Sequence, residues 1–248
     1  MKKKTANLLL LFVAVVMLQF AAAEAAAFTF SPMSTTIAPS GAQSVMTYKV
    51  TNDSQQQIAV AIKVMTRDIN QLGVEINEPS DSTFLIFPSR IVLAPGSTQN
   101  VKIQYRGQVN LQAEAAYRVI AEQLPIDFSK ATSSGVNIML KYIAALYVTP
   151  AKVTPDIKIF SIIGIKKNDV VGLEITLKND GTRHSLLSHS LIRITQSSGF
   201  IPVEFSGDAL ASIDGQNILA RSTRIFFVPW SSAEMGATYE GAFSAEYE

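Results

Sequence analysis

The chain of 248 residues contains no cysteine and only two histidines. Without thiols it has no disulfide framework, no cysteine nucleophile and no thiolate zinc site. Its fold must rest on an apolar core, which a chain of this length can build. His184 and His189 are five apart, an odd separation that puts them on opposite faces of a strand. No nucleophile-elbow motif, glycine-rich phosphate loop or calcium-loop spacing occurs. The expectation is therefore no enzyme, no cofactor, no bound metal and no small-molecule substrate. His184, beside the turn at 180–184, reads as a capping or surface residue. A serine triad assembled in space is the enzymatic alternative, a secreted hydrolase. A dominant charge is missing too: 21 Lys and Arg face 20 Asp and Glu, for a net charge of +1. With no basic block, a nucleic-acid partner is not expected. Helical periodicity is also absent beyond residue 27.

What is present begins with a secretory pattern: Lys2, Lys3 and Lys4, an apolar run at 8–20, and the alanine-rich segment 21–27. The run falls short of the ~20 residues of a spanning helix, so a cleaved signal peptide, 1–27, is favoured over an uncleaved anchor. Cleavage is expected after Ala27, with Ala23 and Ala25 as rivals. Loss of Lys2, Lys3, Lys4 and Glu24 takes the net charge to −1.

From residue 28 onward, short apolar runs are separated by Gly, Pro and Asn turns. Ile58, Val60, Ile62 and Val64 alternate with Ala59, Ala61 and Lys63, as in a strand with one face in a core. Segment 67–82 is polar, with turns near Gly73 and Pro79. Arg90 to Leu93 and Val101 to Tyr105, around Pro95-Gly96, read as a hairpin. Residues 117–124 form another strand. Beyond Pro150 the same grammar resumes, with strands near 157–165, 172–177, 186–195, 202–205, 223–228 and 239–245. Such spacing predicts an all-β fold of two immunoglobulin-like β-sandwich domains, 28–150 and 151–248, joined at an angle by a short hinge.

The pivotal stretch is 135–150, GVNIMLKYIAALYVTP. Val136, Ile138, Leu140 and Tyr142 share one face, and Asn137, Met139, Lys141 and Ile143 the other. From Ala144 to Val148 the run is continuously apolar, as in a strand buried on both faces. Alternation alone leaves open whether the first row faces its own core or another protein.

These segments resemble a known family. Arg90-Ile91-Val92-Leu93-Ala94-Pro95-Gly96-Ser97, Tyr117-Arg118-Val119-Ile120-Ala121-Glu122-Gln123-Leu124-Pro125, the run 136–150, and Leu177-Lys178-Asn179-Asp180-Gly181-Thr182-Arg183-His184 are similar, in order and spacing, to periplasmic pilus-assembly chaperones of the chaperone–usher pathway. The Tyr-Arg-Val form is nearer the alternative and archaic branches. The resemblance implies a periplasmic chaperone that lends strand 135–148 to pilus or surface-coat subunits and delivers them to an outer-membrane usher. Val136, Ile138 and Leu140, with Tyr142 behind them, would be the subunit-binding row. The runner-up is an Ig-like structural pilus subunit or surface adhesin. The chain departs from the family at its basic anchors for the subunit carboxylate, where Thr36 and Ala145 stand. Thr36, Lys141 and Arg118 are the remaining anchor candidates. Thr149 stands where the family has an interdomain Arg, so that ion pair is missing.

Overall fold

The computed structural model describes residues 28–125, 139–195 and 202–247. The proposed signal peptide, Val136 and Ile138 lie outside the described residues. Period-two apolar patterning makes strands, and turn residues end them. In the first half these are β1 (Phe28–Ser31), β2 (Ser34–Ile37), β3 (Val45–Asn52), β4 (Ile58–Thr66), β5 (Asp68–Ile69), β6 (Glu75–Ile76), β7 (Phe84–Phe87), β8 (Arg90–Leu93), β9 (Thr98–Tyr105), β10 (Ala115–Leu124) and β11 (Lys141–Val148). They build a sheet ordered β1-β3-β9-β7 and a facing sheet ordered β2-β11-β10-β4-β8. The inner faces bury Phe28, Phe30, Tyr48, Val60, Val64, Val101, Ile103, Val119, Leu146 and Val148.

The second half contains β12 (Ile157–Lys167), β13 (Val170–Asn179), β14 (Ser185–Thr195), β15 (Val203–Ser206), β16 (Asn217–Ile218), β17 (Thr223–Pro229) and β18 (Glu240–Tyr247). One sheet runs β12-β13-β17; the other centres on β14, flanked by β15, β16 and β18. Leu173, Ile175, Leu177, Leu187, Ile192 and Ile194 fill its separate core. The expectation of an all-β, two-sandwich fold is met.

Two local readings are corrected. β8 and β9 do not pair as a hairpin: β8 joins β4 and β9 joins β3 and β7, in opposite sheets. The Pro-Gly turn carries the chain across the sandwich because Asn52 captures it. The Asn52 side-chain amide donates to the carbonyls of Leu93 and Ala94, both at 3.1 Å. The second correction is in 67–82, whose polar sequence hides the β5–β6 ribbon.

Asn179 repeats the Asn52 device in the second domain. Its amide donates to Ile218 O and Leu219 O at 3.3 and 3.1 Å and to Arg183 O, four residues on. The Asn52 amide likewise reaches Gln56 O, four residues on. Each oxygen accepts the N–H two residues later, of Ser54 and Gly181. Both side chains are fully buried, so removing either strands several carbonyls without water. Asn52→Ala should lower stability by about 2–4 kcal/mol, read from the urea midpoint at unchanged m-value.

Candidate functional site

β11 is the element both domains share. Ala144, Leu146 and Val148 point into the first core. Ala145 and Tyr147 point the other way, into a small cluster with Ile69 and with Leu219 of the second domain. The expected double-sided burial of 144–148 is observed. Leu140 and Tyr142 extend the inward row and pack, half-buried, on the first core. The Tyr142 ring meets Phe28 edge-on at 4.8 Å, and its hydroxyl donates to the Phe28 carbonyl. Tyr142 is thus committed to its own domain. Met139, Lys141 and Ile143 are exposed on the outer face.

The two edges of β11 differ. One pairs with β10 throughout, Lys141 opposite Glu122 and Val148 opposite Ala115. On the other, β2 covers only Ala145 to Val148. Among the described residues, no strand covers that edge at Lys141–Ala144. Gln123 N–H donates to Leu140 O, and Ala145 N–H to Met33 O. Antiparallel alternation therefore turns the backbone groups of Lys141 and Ile143 outward, toward the uncovered edge.

Where β2 takes over, a charged corner begins. Arg118 lies opposite Ala145 in the ladder. Its Nε and Nη2 donate to the two oxygens of Glu75 at 2.7 and 2.6 Å, a bidentate pair. Arg67 Nε donates to Glu75 Oε2 at 3.0 Å, and Arg67 Nη1 to the Tyr147 hydroxyl at 2.7 Å. Asn217, from the second domain, donates to the same hydroxyl at 2.9 Å. Burial pushes the Glu75 carboxyl up, but the hydrogen bond and charge of Arg118, then the charge of Arg67, outweigh it and hold it at about 2.

Beyond this corner lies the junction. Glu114 is nearly sealed, and its carboxylate accepts from Thr149 Oγ at 2.7 Å, from the His184 backbone N–H at 3.0 Å and from His184 Nδ1. Burial pushes its carboxyl up, yet the hydrogen bonds from His184 and Thr149 leave it below its ordinary value. The imidazole stacks on the Tyr147 ring at 3.7 Å. His184 is therefore a junction residue, not the surface or capping residue its turn suggested. Thr149, lacking the family's charge, still joins the link as a hydrogen-bond donor. A cavity of about 180 Å³ beside it is lined by Arg67, Asp68, Glu114, Leu219 and Arg221, among others.

Of the anchor candidates, Thr36 is exposed on β2, opposite Tyr147. Lys141 is exposed four residues before Ala145. Arg118 is mostly buried and already holds a carboxylate. The structure brings Arg118 to the end of the uncovered edge and leaves Lys141 and Thr36 apart from its guanidinium network. Glu75, Arg67, Glu114 and Tyr147 escaped sequence reasoning, since the contacts from Glu75 to Arg118, from Glu114 to His184 and from Arg67 to Tyr147 span 43, 70 and 80 positions.

Glu114→Ala should leave both cores folded but loosen the domains, because His184 and Thr149 lose their shared acceptor. Residual dipolar couplings fitting one alignment tensor in the wild type should need two in the variant. For Glu75, the folded carboxyl sits at about 2 against an ordinary 4.5. Its contribution is complete above pH 4.5 and fades as pH falls toward 2. Glu75→Gln should flatten the acid limb of the stability profile in that window.

The family model "Pili and flagellar-assembly chaperone, PapD N-terminal domain" matches residues 29–154. No curated protein sequence matches the chain. Among solved structures, the class 5 fimbriae chaperone CfaA is 14% identical, with a TM-score of 0.57 over 89% of this chain and 99% of that one. A chain of the CsuC–CsuE chaperone–tip adhesion subunit pre-assembly complex, from the archaic chaperone-usher Csu pili of Acinetobacter baumannii, is 16% identical, with a TM-score of 0.60 over 90% and 97%. A chain of the Salmonella enterica SafA pilin–SafB chaperone complex is 12% identical, with a TM-score of 0.54 over 91% and 99%. At such identities these structures speak for the fold alone, whereas the family model spans half of the sequence. With an all-β pair of sandwiches and β11 shared between them, the chain belongs to the pili and flagellar-assembly chaperone family.

Proposed function

We propose that this chain is a periplasmic chaperone that lends the uncovered edge of β11 to pilus or surface-coat subunits and passes them to an outer-membrane usher. The observation that carries the reading is the edge at Lys141–Ala144, with outward backbone groups beside an inward apolar row. A subunit strand laid on it would satisfy those groups. Its side chains would then meet a row already continuous with the chaperone's core through Leu140 and Tyr142. Edge addition of this kind supplies main-chain hydrogen bonds for affinity and alternate side chains for fit. Val136 and Ile138 precede Leu140 at the same period, and each large apolar side chain taken from water contributes roughly 1.5–3 kcal/mol. The mechanism needs no nucleotide, metal or covalent step. Arg118, at the end of the edge, is the favoured anchor for a subunit carboxylate, ahead of the exposed Lys141 and Thr36. The proposed working unit is the pair 28–150 and 151–248, exported by a cleaved signal at 1–27.

The test is co-expression with secreted subunits encoded beside its gene. A soluble one-to-one complex is expected. Ile138→Asp should abolish it without lowering the melting temperature of the free chain. Ile143→Pro should do the same, because it removes an outward N–H at a position where an edge strand tolerates proline. Leu140→Asp is a poorer probe, since Leu140 already packs on the chain's own core. A complex that survives both Ile138→Asp and Ile143→Pro places the binding surface elsewhere.

A further inference from the structure

The two domains also touch away from Glu114 and His184. The backbone N–H of Ile225, in β17, donates to Gln71 O at 2.7 Å. Gln71 lies in the turn that joins β5 and β6 of the first domain. On one edge β17 pairs with β13 from Thr223 to Pro229. Among the described residues, no strand pairs with its other edge. Antiparallel alternation turns the backbone groups of Ile225 and Phe227 toward that open edge. The Phe227 carbonyl accepts from Ser212 Oγ at 3.2 Å, and Gln71 takes the Ile225 N–H. Gln71 thus stands where the next strand of the second domain's sheet would run.

The turn is built to hold that carbonyl in place. Asn70 Oδ1 accepts the N–H of Leu72 at 3.0 Å and that of Val74 at 2.9 Å. The Asn70 backbone closes the same loop, its carbonyl taking the Gly73 N–H at 2.9 Å and its N–H reaching Val74 O at 3.0 Å. Gly73 has a φ of +89°, and a Cβ there would stand 2.6 Å from Arg224 Nη2. Arg224 is poorly placed to give way. It is 5% exposed, donates to Asn217 O and Gln216 Oε1, and lies over the Phe226 ring. Glycine is therefore required at 73 for its backbone and for its clearance. The base of the ribbon is held as well: buried Ile69 packs with Ala145 and Tyr147 of β11 and with Leu219 of the second domain. A two-stranded ribbon is marginal on its own, so its shape comes from these attachments, and they lie on both domains.

Domains joined by a short link rotate by default unless contacts cross between them. Here two sets of contacts cross, on different elements of the second domain. Glu114 holds the turn before β14, and the ribbon holds β17. We propose that the β5–β6 ribbon is an interdomain brace: Gln71 joins the open edge of β17, Gly73 closes against Arg224, and together they fix the angle of the second domain to β11. Loss of either the brace or Glu114 frees a rotation that the other does not stop. The brace rests on contacts within the chain and not on the strand-lending reading.

Because the chain has no cysteine, spin labels can be placed by two substitutions alone, Lys102→Cys in the first domain and Lys166→Cys in the second, both at exposed positions. Electron–electron double resonance on the whole chain then reads the distance between them. One narrow distribution is expected for the labelled parent. Replacing 70–74 by Asn-Gly retains a hairpin but removes Gln71 and Gly73. It should broaden the distribution at least about two-fold, as for domains free to rotate. Ile225→Pro should broaden it too, because it removes an N–H from an edge that tolerates proline. The shortened ribbon leaves the second domain's sequence untouched, so it decides alone where Ile225→Pro disturbs that core. In the shortened ribbon the Ile225 amide should also exchange faster. A parent distribution that is already broad, or a shortened ribbon that keeps the parent's width and centre, overturns the brace. An Ile225 amide that exchanges no faster in that variant overturns the Gln71 contact.

Discussion

Every backbone N–H and C=O in a strand must find a partner or keep water. β11 meets that requirement differently along its length. From Ala145 to Val148 it is enclosed, with β10 on one edge, β2 on the other, the first core on one face and the second domain on the other. Before Ala145, among the described residues, it has β10 alone. The rest of the molecule is arranged around that asymmetry. The chain's start divides into β1 and β2 so that it can serve both sheets, and the second domain closes over the outer face only where Tyr147 reaches it.

The charged groups follow the same division. Glu114 sits on the enclosed side and receives three donors, two of them from His184. Glu75 sits at the boundary, held by two arginines from the frame. In the first case the interdomain ion pair is missing, as Thr149 led one to expect, and a buried carboxylate gathers hydrogen bonds there instead. Thr149 supplies a hydroxyl in place of a guanidinium, and the imidazole across the junction supplies a second side-chain contact. Polarity at the junction is kept by different side chains, so a scan for one basic residue at one position overlooks it.

Much of the fold was legible because it rests on period-two burial, which is local. Ile58, Val60, Ile62 and Val64 announced β4, and the unbroken run 144–148 announced a strand covered on both faces. The misread elements lack that local signal, one because a distant partner decides it and the other because its strands are too short to show a period. The Pro95-Gly96 turn looked like a hairpin, but Asn52, more than forty positions earlier, directs β8 and β9 into opposite sheets. Segment 67–82 looked like polar loop because its ribbon strands are only two residues long. The site divided in the same way. The apolar row of β11 could be read from alternation, although nothing local separated Leu140, whose row leads out to the edge, from Tyr142, which Phe28 claims. Arg118 stood out only as a basic residue in a strand; that Glu75 already holds it depends on a long-range contact with no local signature.

The enclosed end of β11 also governs the end that is open. Side chains in a strand alternate, so sliding by one residue exchanges inward for outward positions throughout. Here a slip would drive Tyr147 into the first core and swing Leu146 toward Leu219, breaking the hydrogen bonds that Arg67 and Asn217 make to the Tyr147 hydroxyl. The pitch of the open edge is thereby locked by Tyr147, three to six residues away, before any partner arrives. An arriving strand meets a ruler with fixed graduations, and its own alternation decides whether it fits.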